Sequence, residues 1–237
     1  MLFFYIRHGD PIYDPDSLTP LGKRQAEAVA KRLALYGIDR IYSSTSTRAI
    51  ETARPTCELL KKEPMLLDFC NECYTWREFT TKIEGETKWF FENPESRLNF
   101  ASEDVRALGN RWYEYPGLGG NNCKKGVERV SSESDAFFLA LGYEHIKGTG
   151  KYKVVKSNDE RIALFAHQTF GTVFLSSILD IPYSVFSNHF DMCHSGVTVI
   201  EFKEELGYAI PKILTLSSDS HLYREGLPTK YNNRAIF

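Results

Sequence analysis

A chain of 237 residues, 42% hydrophobic and 14% aromatic, can build a sizeable core and has ordinary globular composition. Its net charge of −2 provides no global basic field, so neither nucleic acid nor an anionic membrane is an expected partner. No apolar run approaches the roughly 18 residues of a membrane span. The opening MLFFYI lacks the basic leader and cleavage site of a secretory signal, which makes a cytoplasmic protein the expectation.

Residues 2–6 (LFFYI) form a continuous apolar run, the pattern of a strand buried on both faces of a parallel sheet. A Pro/Asp-rich loop, GDPIYDPDS, follows. Thr19 is placed to cap a helix with Pro20 at its first position, where a fixed φ and a missing N–H cost little. Ala26, Val29, Ala30, Leu33 and Tyr36 continue it at three-and-four spacing, and Gly37 supplies the stop. RIYSS (40–44) reads as a short strand. A second helix opens near Ser46 or Thr47 and carries Arg48, Ile50 and Ala53, with Pro55 expected to kink or interrupt it.

Between residues 80 and 150 the composition shifts to Trp, Phe, Asn and charged residues in short helical patterns, with a glycine-rich loop PGLGGNNCKKG. That loop follows no apolar strand and lacks a Lys-Ser/Thr ending, so it matches no phosphate-binding template. The strand–helix signature then returns, as RIALFA (161–166) and an apolar helix Thr169–Leu179. A hairpin is expected from strands near 196–202 and 208–216, with Pro211 placing the second run at a sheet edge. Right-handed βαβ units in both blocks predict an α/β fold. The expected form is a single domain over 1–237, a three-layer α/β/α sandwich with a mostly parallel sheet and an inserted, mostly helical cap at about 80–150.

Ligands of such sheets bind beyond the carboxyl ends of the strands. Arg7 and His8 follow LFFYI, Arg48 follows RIYSS, and His167 follows RIALFA. Either histidine alone is more often a satisfied core or surface residue than a catalyst, and Arg48 alone would be a solvated helix residue. Successive strand ends weaken those bland readings. Arginine presents a permanent planar charge matched to phosphate oxygens, and neutral imidazole is a usable nucleophile near neutral pH. Two of each around one phosphoryl group would neutralise its charge and leave one imidazole nitrogen free for in-line attack.

These residues resemble a known family. Tyr5-Ile6-Arg7-His8-Gly9-Asp10 is similar to the Arg-His-Gly signature of the histidine phosphatase superfamily, also called phosphoglycerate-mutase-like. Leu18-Thr19-Pro20-Leu21-Gly22-Lys23-Arg24-Gln25-Ala26 looks like that family's L-T-x-x-G-x-x-Q-A helix start. Ser43-Ser44 with Arg48-Ala49 and Thr52-Ala53 resembles its S-S-x-x-x-R-A-x-x-T-A block, and Phe165-Ala166-His167 its late strand. The tripeptide alone is weak; four blocks in order, over residues 1–56 and 161–202, are not. The resemblance implies a phosphomonoester hydrolase acting on a small phosphorylated metabolite, without metal or other cofactor. It makes His8 the phosphorylated nucleophile, with Arg7, Arg48 and His167 holding the phosphoryl oxygens. Gln168 stands where the family often has Gly and is assigned to substrate binding. The loop Asp10–Asp14 replaces the Thr and Asn often found near the phosphate.

The family also uses a carboxyl group to protonate the leaving oxygen and activate water. Trp76-Arg77-Glu78-Phe79 is similar to the segment that supplies it, which nominates Glu78 ahead of Glu72, with Glu84 and Glu86 behind.

Other features carry less. Cys70 and Cys73 form a lone CxxC without the second ligand pair of a metal site, and five cysteines without a secretion signal argue for reduced thiols. His189, Asp191, Cys193 and His194 superficially resemble metal ligands, but nothing places them on one face; His194 could line the pocket rim. His221 is expected to be solvated, and the 89–91 Trp/Phe cluster to be cap core. Two other readings stand beside the phosphatase: a phosphoglycerate mutase, and a non-catalytic phospholigand-binding protein on the same fold. The mutase pattern R-H-G-E-x-x-W-N and its basic loop are absent, and binding alone needs neither a nucleophile nor an acid.

Overall fold

A computed structural model describes residues 1–118 and 122–232. Strand β1 (Leu2–Arg7) is followed by a small hairpin, β2 (Pro11–Tyr13) and β3 (Asp16–Leu18). Helix α1 (Pro20–Tyr36) then starts at Thr19, whose hydroxyl accepts from the Gly22 amide at 3.0 Å, and ends on Gly37 in the left-handed region at φ 69°. Strand β4 (Arg40–Ser44) leads to α2 (Thr47–Leu60) and β5 (Met65–Leu67). Pro55 neither kinks α2 into two helices nor ends it; the helix runs through to Leu60.

The next segment holds α3 (Glu72–Glu78), the hairpin β6 (Thr80–Ile83) with β7 (Glu86–Trp89), and α4 (Pro94–Ala101) and α5 (Glu103–Leu108). Helix α6 (Cys123–Ala140) comes next, followed by β8 (Tyr143–Ile146) and β9 (Lys151–Val154). The glycine-rich stretch expected as a loop therefore splits. Pro116–Leu118 make a 3-10 turn, 119–121 lie outside the described residues, and Cys123–Gly126 already belong to α6. Strand β10 (Arg161–Ala166), α7 (Gln168–Leu179), α8 (Tyr183–His189), β11 (Val197–Glu201), β12 (Glu204–Glu205), β13 (Tyr208–Ala209), β14 (Lys212–Ser218) and α9 (Ser220–Arg224) complete the order.

The central sheet runs β14-β11-β1-β10-β4-β5, with β1, β10, β4 and β5 parallel and β11 and β14 antiparallel. Strands β11 and β14 pair as expected, and β14 is the edge strand, with Pro211 just before it. Residues 208–209, predicted to continue that strand, instead join β9 in a second sheet, β12-β13-β9-β8.

Strand alternation sorts the core into two layers. Phe4, Ile6, Ala163 and Phe165 pack with Val29, Leu33, Ala53 and Cys57 of α1 and α2. Phe3, Tyr5, Ile162 and Leu164 face the other way, against Phe137, Phe138, Phe170 and Phe174 of α6 and α7. Within the segment read as a cap, α6 thus lies in the layer that covers the sheet. Burying an aromatic or aliphatic side chain of this size stabilises by roughly 1.5–3 kcal/mol, so these layers dominate the folding energy.

Candidate active site

The parallel order β1-β10-β4 brings three strand ends side by side, which is why residues far apart in the chain converge. Arg7 ends β1 and His8 follows; Ser44 ends β4; His167 follows β10 and caps α7. Arg48 comes from the first turn of α2. The loop after His8 is pinned from behind. A Cβ on Gly9 would sit 2.6 Å from the Gly22 carbonyl oxygen, and a Cβ on Gly22 only 2.2 Å from that of Asp10, so only two glycines allow this approach.

His8 is buried, and its Nδ1 lies 2.7 Å from the Gly9 carbonyl oxygen. A carbonyl only accepts, so Nδ1 carries the proton and Nε2 keeps its lone pair. Burial pushes the His8 pKa well below the usual imidazole value, helped by His167, Arg7 and Arg48, so the ring is neutral near pH 7. The His167 ring centroid lies 5.3 Å from that of His8. Its Nε2 is 2.8 Å from the Ser44 hydroxyl, which itself accepts from the Ser46 amide. Ser44 can thus donate to Nε2, an arrangement in which His167 Nδ1 carries the proton. Burial, then Arg48 and Arg7, hold this ring neutral too.

Arg7 is fully buried and donates to the Met192 carbonyl and to Asn232 Oδ1. Arg48 Nη1 donates to Asp16 Oδ1 at 2.7 Å, and its guanidinium lies over the Tyr13 ring. Among the described residues, the buried polar atoms at this end without a hydrogen-bond partner include Arg7 Nε, Arg48 Nε, His167 Nδ1 and Glu72 Oε2. A buried polar group without a hydrogen bond costs about 1–3 kcal/mol, and several at one end of the sheet mark a place for a polar ligand. Arg7, His8, Arg48, Glu72 and Gln168 line one cavity of about 860 Å³.

The acid nominated from sequence lies away from this cavity. Glu78 does not line this cavity; both its carboxylate oxygens are held by Arg129, at 2.8 and 2.7 Å. Glu72 lines it instead, with Oε2 3.7 Å from His167 Nδ1. Burial raises the Glu72 pKa against the opposing pull of Arg48, Thr169 and Arg7. Six residues at about 100° each turn a helix about 240° past full circle, so the two carboxylates on α3 cannot share a face.

His194 is buried beside the site, its ring 5.9 Å from His8 and its Nδ1 3.2 Å from Asp10 Oδ1. Gln168 donates to Asp191 and accepts from Asn232 Nδ2 at 2.8 Å. His221, expected in solvent, is buried, with Nε2 2.9 Å from the Ser195 hydroxyl. Among the described residues no group of three His, Cys, Asp or Glu side chains converges to hold a metal. His189 faces Arg106, Asp191 faces Gln168 and Cys193 faces Ser217. Among the described residues no two cysteines form a disulfide; Cys70 is buried and Cys73 exposed. The 89–91 cluster divides, with Phe90 in the core and Trp89 on the cavity wall. Asp16, Thr169, Trp76 and Asn232 also line the cavity and were not singled out from sequence. Asp16 lay in a loop noted only for its Asp and Pro content, and Asn232 reaches Arg7 across 225 residues, for which no local pattern exists.

Residues 4–115 match the model of the histidine phosphatase superfamily (branch 1). No curated protein sequence matches it. Among solved structures it is similar to phosphoserine phosphatase from Entamoeba histolytica in complex with 3-phosphoglyceric acid. That match has 19% identity and a TM-score of 0.60, and covers 93% of this chain and 98% of the other. A mycobacterial glucosyl-3-phosphoglycerate phosphatase complexed with VO3 matches at 17% identity and TM-score 0.61, over 92% of this chain and 99% of the other. The alpha-ribazole phosphatase of Shigella flexneri matches at 17% identity and TM-score 0.59, covering 92% and 96%. At these identities the likeness is one of fold.

Proposed function

We propose that the protein is a phosphomonoester hydrolase that works through a phosphohistidine on His8. The observation that carries this reading is the set of buried polar atoms without a hydrogen-bond partner, on Arg7, Arg48, His167 and Glu72, beside a neutral His8 whose Nε2 keeps its lone pair. Arg7, Arg48 and His167 would take the non-bridging phosphoryl oxygens. His8 Nε2 attacks phosphorus, the P–O bond to the alcohol breaks, and that oxygen takes a proton from the Glu72 carboxyl group. Water then attacks the phosphoryl-imidazole, giving its proton to the Glu72 carboxylate, and inorganic phosphate leaves. Glu72 suits the first step because burial keeps its carboxyl protonated to higher pH.

Residues 80–118 would serve as the cap, with β7 closing one side of the cavity, and the substrate is a small molecule of a size that fits beneath it. Neighbours on this fold are phosphatases acting on such compounds, which agrees with the proposal. Two arginines and His167 neutralise the phosphoryl charge without a metal ion. Brief mixing with 32P-labelled substrate tests the chemistry: the protein should carry acid-labile, alkali-stable label, lost in His8→Ala. Label on serine, threonine or cysteine would exclude the mechanism.

A further inference from the structure

The cavity is far larger than a phosphoryl group and a three-carbon alcohol require; at about 860 Å³ it falls near the top of the roughly 300–1,000 Å³ typical of pockets for drug-sized ligands. Its outer wall is aromatic. Trp76 of α3 and Trp89 of β7 meet with ring centroids 4.7 Å apart and planes at 89°, forming a right-angled corner. Phe91 lies parallel behind Trp89 at 5.9 Å. Both indoles line the same cavity as His8, and Trp76 is 40% exposed.

Packing of the cap accounts for this corner only in part. Phe90, between Trp89 and Phe91, is the residue that enters the core, against Phe100 at 5.6 Å. Trp89 is half-buried and packs partly against the core, yet both indoles also present surface to the cavity, where an apolar face is stabilised by being covered. A perpendicular pair offers a flat ring one face to stack on and one edge to meet, the two arrangements aromatic rings prefer. The charges nearby point the same way. Asp16, Glu72 and Glu92 line the cavity, and Lys88 is paired with Glu86 at 3.1 Å, so among the described residues the charge around the alcohol is mainly acidic and disfavours a second anion.

Resting on the phosphatase reading above, we propose that the preferred substrates are phosphomonoesters whose alcohol carries an uncharged, planar aromatic ring, which binds in the Trp76–Trp89 corner. The test compares kcat/KM for esters of primary alcohols of similar acidity: 2-phenylethyl, 2-(indol-3-yl)ethyl, 2-cyclohexylethyl and n-butyl phosphate, with phosphoserine as the charged case. Stacking on an aromatic side chain typically changes an equilibrium by about tenfold or more, so both aromatic esters should exceed n-butyl phosphate by that factor. Cyclohexylethyl phosphate should fall between, and phosphoserine below all. Trp76→Ala and Trp89→Ala should bring the aromatic-to-butyl ratio towards one, and Trp89→Phe should keep most of it. Equal rates on the wild-type protein for phenylethyl and n-butyl phosphate, or for phenylethyl and cyclohexylethyl phosphate, overturn the proposal while leaving a phosphatase. So does a ratio that survives both alanine variants. No turnover of any of these esters, nor of 4-nitrophenyl phosphate, overturns the phosphatase reading and the substrate class together. The wild-type ratios decide even where a tryptophan variant does not fold.

Discussion

Two carboxylates on one short helix have opposite fates. Glu72 faces the cavity with an unpartnered oxygen, and Glu78 is locked in a two-pronged pair with Arg129. Glu72→Gln should therefore slow turnover of alkyl phosphates by about 10²–10⁴-fold, the usual worth of a general acid, and affect 4-nitrophenyl phosphate far less, because nitrophenolate departs without a proton. Glu78→Gln should show no such leaving-group dependence. It weakens a charged hydrogen-bonded pair, costing about 1.5–3 kcal/mol, and should read out as a lower melting temperature. The reverse pattern would return the acid to Glu78. The pH profile carries the same signature. Activity on alkyl phosphates needs Glu72 protonated, so it should fall as pH rises through that group's elevated pKa, and the fall should vanish in Glu72→Gln. His8, held neutral by burial, places no limb in the neutral range. At Arg48 the point is geometry rather than charge. Arg48→Lys keeps the cation but loses the planar fork, and kcat/KM should drop on the order of 10²-fold, as for one lost oxyanion donor. A variant within a few-fold of the wild type would place Arg48 outside the phosphate contacts.

At the scale of elements, one histidine ties three of them together. His145 on β8 lies between Asp135 of α6, 2.7 Å from Nδ1, and Asp180 at the end of α7, 3.0 Å from Nε2, with Lys147 also on Asp135. Asp180 further accepts from the Gly150 amide at 2.7 Å, and the imidazole stacks on Tyr152 at 4.4 Å. Burial alone would lower the His145 pKa, but the two carboxylates outweigh it and the net shift is upward. A raised folded-state pKa means that the stabilisation is complete below the unfolded imidazole value, about 6.5, and is lost as pH rises through the folded value. Asp135 has the opposite sign. Burial opposes its ionisation, yet His145 and Lys147 lower its pKa overall, so its contribution disappears only in acid. Melting temperature should thus decline between pH 6 and pH 9 by an amount that His145→Gln removes; identical pH dependence in the variant would show that the clamp does not titrate.

Across the whole molecule, a chain of net charge −2 concentrates cationic side chains where the strand ends meet. In the proposed scheme Arg7 and Arg48 would do there what a divalent metal does in many phosphoryl-transfer sites. Activity should persist in excess chelator, and vanadate should inhibit as a trigonal-bipyramidal mimic. Loss of activity on chelation, restored by one divalent metal, would overturn the metal-free scheme. The first and last strands of the sheet's parallel core, β1 and β10, lie adjacent, and Asn232 reaches back from the far end of the chain to Arg7, Gln168 and His194. The site therefore exists only once both ends of the chain have come together.

The sequence by itself determined the strands that carry Arg7, His8 and His167 and the helix that carries Arg48. Those signals are local: apolar runs, a Thr-Pro start, a glycine stop. It also determined the parallel topology, because βαβ handedness leaves little choice. Tertiary structure decided that Glu72 rather than Glu78 lines the cavity, since a helix of seven residues shows which face is inward only when something packs on it. It decided that Pro55 sits within a continuous helix, and that His221 and His194 are buried rather than solvated or on the rim. It split the Trp/Phe cluster between core and cavity, and it brought Asp16 and Asn232 to the arginines. Each of those outcomes depends on which non-local neighbour occupies the space, and no periodicity along the chain encodes it.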